Sequence, residues 1–169
     1  NNIDIKLFKP KQVRNILMKM KFNQDYIEEV EAPYKSILDI IYKQYLVYMF
    51  ESNLVDFEDL LLLTIKLLKQ EEQIKKYYND LFKYVLVDEF QDTNNVQYEL
   101  IKLLVNKDKN LFIVGDEDQS IYAFRGANIE NINKFKKDFA NYHLVLLEQN
   151  YRSTNNILNA ANAIIQNNS

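Results

Sequence analysis

Cysteine is absent from the 169-residue sequence, and glycine and proline occur only twice each. A chain without cysteine cannot form disulfides or thiolate metal sites, and its absence fits a reducing compartment, so a cytoplasmic location is expected. So little glycine and proline excludes a linker-rich or low-complexity chain. No apolar run reaches membrane-spanning length, and residues 60–63 are far too short a cluster, so no membrane partner is expected.

The charge balance is slightly acidic. With 21 Lys and Arg against 24 Asp and Glu, the net charge is −3, which excludes a basic field over the whole surface. Any binding to nucleic acid must therefore be local. Hydrophobic residues make up 47% of the chain, enough for a substantial core. Because the chain starts at Asn1 without Met and without a signal-peptide pattern, we expect it to be a piece of a longer protein.

The most informative stretch is residues 83–93, KYVLVDEFQDT. Residues 84–87 are apolar or aromatic without alternation, which is typical of a strand buried on both faces of a parallel sheet. Asp88 and Glu89 follow directly, at the strand end where open α/β sheets bind ligands. One carboxylate there can hold Mg²⁺ while its neighbour takes a proton from an attacking water, as in nucleotide hydrolysis. The alternative is a buried strand that simply ends at acidic residues.

The N-terminal half is helical by its periodicity. Apolar residues recur at helical spacing over residues 13–20, 37–49 and 57–68. Asp56, with Asp59 three residues later, forms a pattern like a capping box and predicts the start of the third helix. We expect this half to consist of packed helices without catalytic residues.

The C-terminal half alternates between strands and helices. Apolar runs predict strands at residues 84–87, 111–114 and 144–147. A helix is expected after each strand, at residues 96–104, 129–139 and 157–164. Asn94 or Asn95 is expected to cap the first of these helices, and Ser153 or Thr154 the last.

This alternation predicts βαβ units and a parallel sheet. Because βαβ crossovers are right-handed, the ends of all three strands should lie at one edge of the sheet. We therefore expect three segments to converge there: Asp88-Glu89, Gly115-Asp116 and residues 148–152.

The loop after the second strand combines a glycine, an amide and aromatic side chains. Gly115 lets the backbone turn tightly near a ligand, and Gln119 can contact a phosphate oxygen or a water without titrating. Tyr122, Phe124 and Arg125 follow. Two aromatic rings and an arginine on a loop can stack on unpaired bases and contact a phosphate. The alternative is that both rings belong to a small core cluster.

The third strand end carries Tyr151 and Arg152. Arg152 can complement charge that develops on a phosphate, and Tyr151 can stack on a nucleobase. The alternative is a salt-bridged arginine beside a half-buried tyrosine.

Three segments in this order and spacing, VDEFQDT, VGDEDQSIYAFRGA and LEQNYRS, resemble motifs II, III and IV of the UvrD/PcrA/Rep family of superfamily I DNA helicases. The stretch IYKQYLVYMFESNLVDFEDLL resembles the family's return from its inserted helical subdomain 1B into core domain 1A. The resemblance implies an α/β fold, a RecA-like parallel sheet with flanking helices, preceded by a helical portion. It assigns residues 1–55 to subdomain 1B and residues 56–169 to a partial core domain 1A, the P-loop NTPase core.

On the nucleotide side, the resemblance implies that the protein uses ATP and Mg²⁺. Asp88 would coordinate Mg²⁺, and Glu89 would activate the hydrolytic water. Gln119 would contact the γ-phosphate and couple the nucleotide state to the DNA site. Tyr151 would stack on adenine, and Arg152 would reach the γ-phosphate.

On the DNA side, the resemblance implies that Tyr122 and Phe124 stack on single-stranded bases and that Arg125 supports the coupling. Phe124 stands where many family members have Trp, so the stacking surface is smaller. The implied activity is an ATP-dependent helicase that moves on single-stranded or partially duplex DNA. The family further implies 3′ to 5′ movement and a role in repair or replication.

The sequence departs from the family in lacking the phosphate-binding loop. The pattern G-x-x-x-x-G-K-[ST] cannot occur, because Gly115 and Gly126 are the only glycines. The second core domain and motifs V and VI are also missing. We therefore expect the 169 residues not to hydrolyse ATP alone and to need the remaining helicase domains.

Two other functions fit parts of the sequence. One is a truncated or degenerate module that binds DNA without turnover. The other is a metal-dependent nuclease with a two-metal cluster. Its ligands would be Asp88, Glu89, Asp92, Asp116 and Asp118.

Overall fold

The structure is a computed structural model that describes residues 8–31, 34–106, 108, 110–122 and 126–166. Its helices are α1 (Pro10–Phe22), α2 (Tyr34–Glu51), α3 (Phe57–Gln70), α4 (Glu72–Leu81), α5 (Asn95–Leu104), α6 (Glu130–Asp138) and α7 (Asn155–Ile165). The strands are β1 (Val85–Val87) and β2 (Leu111–Ile113), and 3₁₀ turns lie at Gln24–Glu29, Phe90–Asp92 and Glu117–Gln119. No helix among these is long and apolar enough to cross a membrane.

The chain divides into two compact units. Asn1–Leu81 with Glu99–Leu104 form the first, and Phe82–Tyr98 with Val105–Ser169 form the second. The predicted division at residues 55 and 56 concerns subdomains of the helicase family, and it stays a prediction.

In the first unit, α3 begins with the predicted capping box. The Asp59 backbone N–H donates to Asp56 Oδ1 at 2.8 Å, and the Asp56 N–H donates to Asp59 Oδ2 at 3.1 Å. Two backbone N–H groups that a helix start leaves without partners are thereby satisfied. The start of α3 is thus fixed by residues that lie next to it in the sequence.

The same two carboxylates hold a buried lysine from α1. Lys21 Nζ donates to Asp56 Oδ2 at 2.5 Å and to Asp59 Oδ1 at 2.7 Å. The Tyr45 hydroxyl of α2 also donates to Asp56 Oδ2. Because a buried charge is costly unless paired, this cluster fixes how α1, α2 and α3 pack against one another.

The cluster also shifts the pKa values of its members. Burial alone would raise the pKa of Asp56, but hydrogen bonds from Lys21, Tyr45 and the Asp59 backbone outweigh it and leave the pKa lowered. Burial alone would lower the pKa of Lys21, but its bonds to Asp56 and Asp59 outweigh it and leave the pKa raised. Both charged forms are therefore favoured in the folded chain.

Replacing Asp56 with Ala should lower the free energy of unfolding by about 2–3 kcal/mol, because the cap and one partner of a buried lysine are lost together. The matched control is Asp39→Ala, which removes an exposed pair with Lys43 and should cost under about 0.5 kcal/mol. Urea unfolding of the chain measures both. Equal costs for the two variants would contradict this account of the cluster.

The pH dependence of stability follows from the lowered pKa of Asp56. Its contribution is complete above its ordinary pKa of 3.8 and is lost as the pH falls through the lower folded value. The stability difference between the parent chain and Asp56→Asn should therefore stay constant from pH 7 to about pH 4 and shrink below that. Urea titrations at successive pH values measure it, and a difference that shrank already between pH 7 and pH 5 would refute the assignment.

The second unit is organised around two parallel strands. Val85, Leu86 and Val87 of β1 pair with Leu111, Phe112 and Ile113 of β2. Beyond the strands, the Val114 N–H donates to Val87 O at 2.8 Å, and the Phe90 N–H donates to Val114 O at 2.9 Å. The parallel pairing predicted for these two runs is confirmed.

An aromatic cluster forms the core of this unit. Phe90, which follows β1, lies 5.9 Å from Tyr98 of α5 and 6.0 Å from Phe135 of α6, measured between ring centroids. All three rings are buried. Edge-to-face contacts of this kind hold α5 and α6 beside the end of β1.

The sheet differs from the prediction in its burial. We predicted a strand buried on both faces, but Leu86 is 71% and Phe112 60% exposed. Successive side chains of a strand point to opposite faces, so Val85 and Val87 share the covered face and Leu86 lies on the other. The apolar run therefore forms a strand that is covered on one face and exposed on the other.

The third predicted strand is wrong. Residues 144–147 have no regular secondary structure, and their side chains are 63–85% exposed. A strand needs a partner to satisfy its backbone hydrogen bonds, and the sheet in the described part of the chain consists of β1 and β2. The apolar composition of residues 144–147 was thus not sufficient to form a ladder.

The observed starts of α5 and α7 agree more closely with the predicted capping positions. Asn94 caps α5, since its Oδ1 accepts from the Gln97 N–H at 2.8 Å and its N–H donates to Gln97 Oε1 at 2.9 Å. Thr154 occupies the capping position of α7, but its side chain makes no capping hydrogen bond. The described structure is thus mostly helical, with a small parallel sheet.

Candidate functional site

Two of the three predicted strand ends meet at one edge of the sheet. Asp88 and Glu89 follow β1, and Gly115 and Asp116 lie just after β2. The strands are parallel, with Val87 opposite Ile113, so both segments leave the sheet at its carboxyl edge. This is the edge at which open α/β sheets bind ligands.

The acidic pair sits on a tight turn. Glu89 has φ 50° and ψ 43°, the left-handed region that a residue with a side chain rarely adopts. Asp88 Oδ1 accepts from the Glu89 N–H at 2.9 Å, and Glu89 O accepts from the Asp92 N–H at 2.9 Å. Such a conformation costs about 1–3 kcal/mol and persists only where surrounding contacts hold it. Both carboxylates are exposed and thus accessible to a ligand.

Gln91 joins the two strand ends. Its Nε2 donates to Glu89 Oε2 at 2.8 Å, and its Oε1 accepts from the Asp116 N–H at 3.1 Å. The residue is only 1% exposed. Sequence reasoning missed Gln91, because an amide inside a polar motif has no periodicity that indicates burial.

Gly115 lies against the side chain and backbone of Gln91. A Cβ atom at this position would lie 2.7 Å from Gln91 Oε1 and 3.3 Å from the Phe90 backbone nitrogen. Contacts under 3.0 Å essentially never occur for real Cβ atoms. The glycine is therefore needed for the close approach of Gln91, and the turn near a ligand that we expected at this position stays a prediction.

Gln119 is held on the loop that follows β2. Its Nε2 donates to Asp116 Oδ2 at 2.8 Å, and Asp116 Oδ1 accepts from the Asp118 N–H at 3.0 Å. Gln119 is exposed. The predicted phosphate-sensing amide thus lies beside the aspartate whose backbone contacts Gln91.

The loop with the predicted DNA-contacting residues begins and ends on the acidic motif. At its start, Ser120 Oγ donates to Gln91 O at 3.4 Å; at its end, the Asn128 N–H donates to Thr93 O at 3.0 Å. Tyr122, on this loop, is half-buried. Phe124 and Arg125 lie outside the described residues.

Asn131 of α6 strengthens the second of these connections. It is fully buried, and its Nδ2 donates to Thr93 O at 2.9 Å. The Thr93 hydroxyl in turn donates to Phe90 O at 2.7 Å. The acidic turn is therefore linked by hydrogen bonds to α6 as well as to β2.

Tyr151 and Arg152 are not brought to Glu89 by any hydrogen bond among the described residues. Tyr151 is 92% exposed. The Arg152 and Ser153 N–H groups both donate to Asn150 Oδ1 at 2.9 Å. The Arg152 guanidinium forms no ion pair within the described part of the chain, so the alternative of a salt-bridged arginine beside a half-buried tyrosine is wrong. The convergence predicted for this segment depended on the third strand, which the structure lacks.

The carboxylates do not assemble into a multi-ligand metal site. Among the described residues, no group of three or more His, Asp or Glu side chains is placed to hold a metal ion. The cluster that a two-metal nuclease needs is therefore not formed. Asp88 fits as a Mg²⁺ ligand, because it is exposed and only its Oδ1 accepts a hydrogen bond from the described chain. Mg²⁺ commonly binds one or two carboxylates together with waters and substrate phosphates.

Paired carboxylates at the carboxyl edge of a small parallel sheet are the arrangement from which open α/β proteins build ligand sites. The profile of the UvrD/REP helicase N-terminal domain matches residues 1–140. The chain is also 44% identical, over 99% of its length, to proteins named ATP-dependent DNA helicase PcrA from Staphylococcus epidermidis and Staphylococcus aureus. The chain belongs to the UvrD/REP helicase family. It spans 24% of the length of these relatives.

Replacing Asn131 with Ala should lower the free energy of unfolding of the second unit by about 1–3 kcal/mol, because a fully buried hydrogen-bond donor to Thr93 is lost. The control is Asn141→Ala, at an exposed position, which should change stability by less than about 0.5 kcal/mol. Hydrogen exchange of the α6 amides and of the amides of residues 95–98 measures both. Unchanged protection in Asn131→Ala would contradict the proposed link.

Proposed function

We propose that this chain is part of an ATP-dependent DNA helicase, with residues 56–169 in a RecA-like core domain 1A and residues 1–55 in subdomain 1B. The observation that carries the proposal is the meeting of Asp88-Glu89 with the loop from Gly115 to Gln119 at one sheet edge. The identity to proteins named as ATP-dependent DNA helicases supports it.

In the proposed mechanism, catalysis is positioning and charge stabilisation during in-line attack of water on the γ-phosphate. Asp88 would hold Mg²⁺, which would supply positive charge to neutralise the phosphates. Glu89 takes the proton from the attacking water. Gln119 contacts the γ-phosphate, and Tyr151 and Arg152 contact the adenine and the γ-phosphate.

The proposed DNA site is the loop that contains Tyr122, Phe124 and Arg125. Stacking on aromatic rings suits single-stranded DNA because every base has a π-face. Both ends of this loop are hydrogen-bonded to residues 91–93, so a shift of the acidic motif on hydrolysis would move the loop. We propose 3′ to 5′ translocation on single-stranded DNA, with duplex unwinding, in repair or replication.

A module that binds DNA without turnover is the second candidate. The two candidates differ in Mg²⁺-dependent ATP turnover once the chain is joined to the remaining motor domains. The isolated 169 residues should show no turnover under either proposal.

Replacing Glu89 with Gln should lower DNA-stimulated kcat about 10²–10⁴-fold, because the proton acceptor is lost. The assay uses this chain joined to the rest of the motor, supplied by its own flanking sequence or by the Staphylococcus aureus relative. The control is Glu130→Gln, an exposed carboxylate of α6, which should leave kcat within about twofold.

Two outcomes would contradict the proposal. The first is ATP turnover in the Glu89→Gln protein equal to that of the parent. The second is single-stranded DNA binding by a folded parent that shows no turnover, which would favour the non-catalytic module.

A further inference from the structure

We propose that Gln91 is a positioning residue that holds the Glu89 carboxylate in the orientation needed to accept a proton. We further propose that position 115 must be glycine, because the Gln91 amide occupies the space that a side chain at position 115 would need. The inference rests on the proposed function, in which Glu89 is the base.

The Glu89 carboxylate needs an external contact to stay in one orientation. It is exposed, and a glutamate side chain in water samples many rotamers. Within the described residues, the one hydrogen bond to this carboxylate comes from Gln91 Nε2, at 2.8 Å to Oε2. That bond leaves Oε1 open to a water.

Gln91 is itself fixed in the required orientation. Its Oε1 accepts from the Asp116 backbone N–H at 3.1 Å, so its NH₂ group must be the end that faces Glu89. The side chain is buried, and the Gln91 carbonyl accepts from Ser120 Oγ at 3.4 Å. A buried amide held at both ends loses little entropy when it orients a partner.

Gly115 provides a second, independent observation. An added methyl group would lie 2.7 Å from Gln91 Oε1 and 3.3 Å from the Gln91 backbone nitrogen. The first contact forces Gln91 to move, and the second limits how far its backbone can yield. A side chain at position 115 should therefore disturb Glu89 without touching it.

The competing explanation is that Gln91 only ties the two strand ends together. Removing a purely structural tie would lower stability while leaving the proton-transfer step unchanged. Removing a positioning residue should lower kcat while substrate binding and folding are kept.

The test compares Gln91→Met and Gln91→Glu in the complete motor described above. Gln91→Met keeps the side-chain length but donates no hydrogen bond to Glu89, so DNA-stimulated kcat should fall about 10–100-fold. The KM for ATP should change less than about threefold, because the contacts that bind ATP equally in the ground state and the transition state are kept. Circular dichroism and Tm check that the variant is folded.

Gln91→Glu keeps the length of the side chain but presents only hydrogen-bond acceptors to Glu89. DNA-stimulated kcat should therefore fall at least as far as in Gln91→Met, with the KM for ATP again nearly unchanged. The control is Gln44→Glu, an exposed site on α2 with the same charge change, which should leave kcat within about twofold.

Gly115→Ala should reproduce the loss in kcat seen for Gln91→Met. Combining the two should cost little more than either alone, because both act through the same hydrogen bond. If Gln91→Met fails to fold, the kcat and KM of Gly115→Ala decide the question.

The outcomes separate this inference from the proposed function. Unchanged kcat in folded Gln91→Met or Gln91→Glu refutes the positioning role if Glu89→Gln is inactive. Normal turnover in Glu89→Gln refutes the proposed function itself. Additive losses from Gly115→Ala and Gln91→Met would show that Gly115 acts by another route.

Discussion

The parallel pairing of β1 with β2 is the constraint on which the candidate site depends. It places residues that lie 27 positions apart, Glu89 and Asp116, at one edge of the sheet. The hydrogen bonds Val114 N–H to Val87 O and Phe90 N–H to Val114 O extend that pairing beyond the strands. The acidic turn is thus held by the backbone, which leaves its two carboxylates exposed.

The two compact units use polar groups in opposite ways. In the first, Lys21 is buried against Asp56 and Asp59, and the charges serve packing. In the second, the carboxylates of Asp88 and Glu89 are exposed, and the neutral, buried amide of Gln91 donates to Glu89. A neutral amide suits this position, because a buried charge there would need its own partner and would alter the charge at the site.

Sequence predicted those features that depend on neighbouring residues or on a general topological rule. The Asp56 capping box and the Asn94 cap are local, and the meeting of the first two strand ends follows from βαβ topology. The strand at residues 144–147 was wrong because a ladder also needs a partner, which local composition does not provide. Lys21 and Gln91 were missed because their partners are set by packing: Lys21 bonds Asp56 across 35 residues.

The hydrogen bonds around the acidic turn form a continuous connection to the predicted DNA-contacting loop. Gln91 contacts Glu89 through its side chain and Ser120 through its carbonyl, while Thr93 receives the Asn128 N–H. The loop between Ser120 and Asn128 therefore has both ends on the three residues that follow Glu89-Phe90. A change in the position of Glu89 cannot leave Gln91 in place without breaking the bond between them. In a motor, this arrangement would couple the state of the nucleotide to the DNA-contacting loop through two hydrogen bonds. This coupling would need no large rearrangement of the sheet.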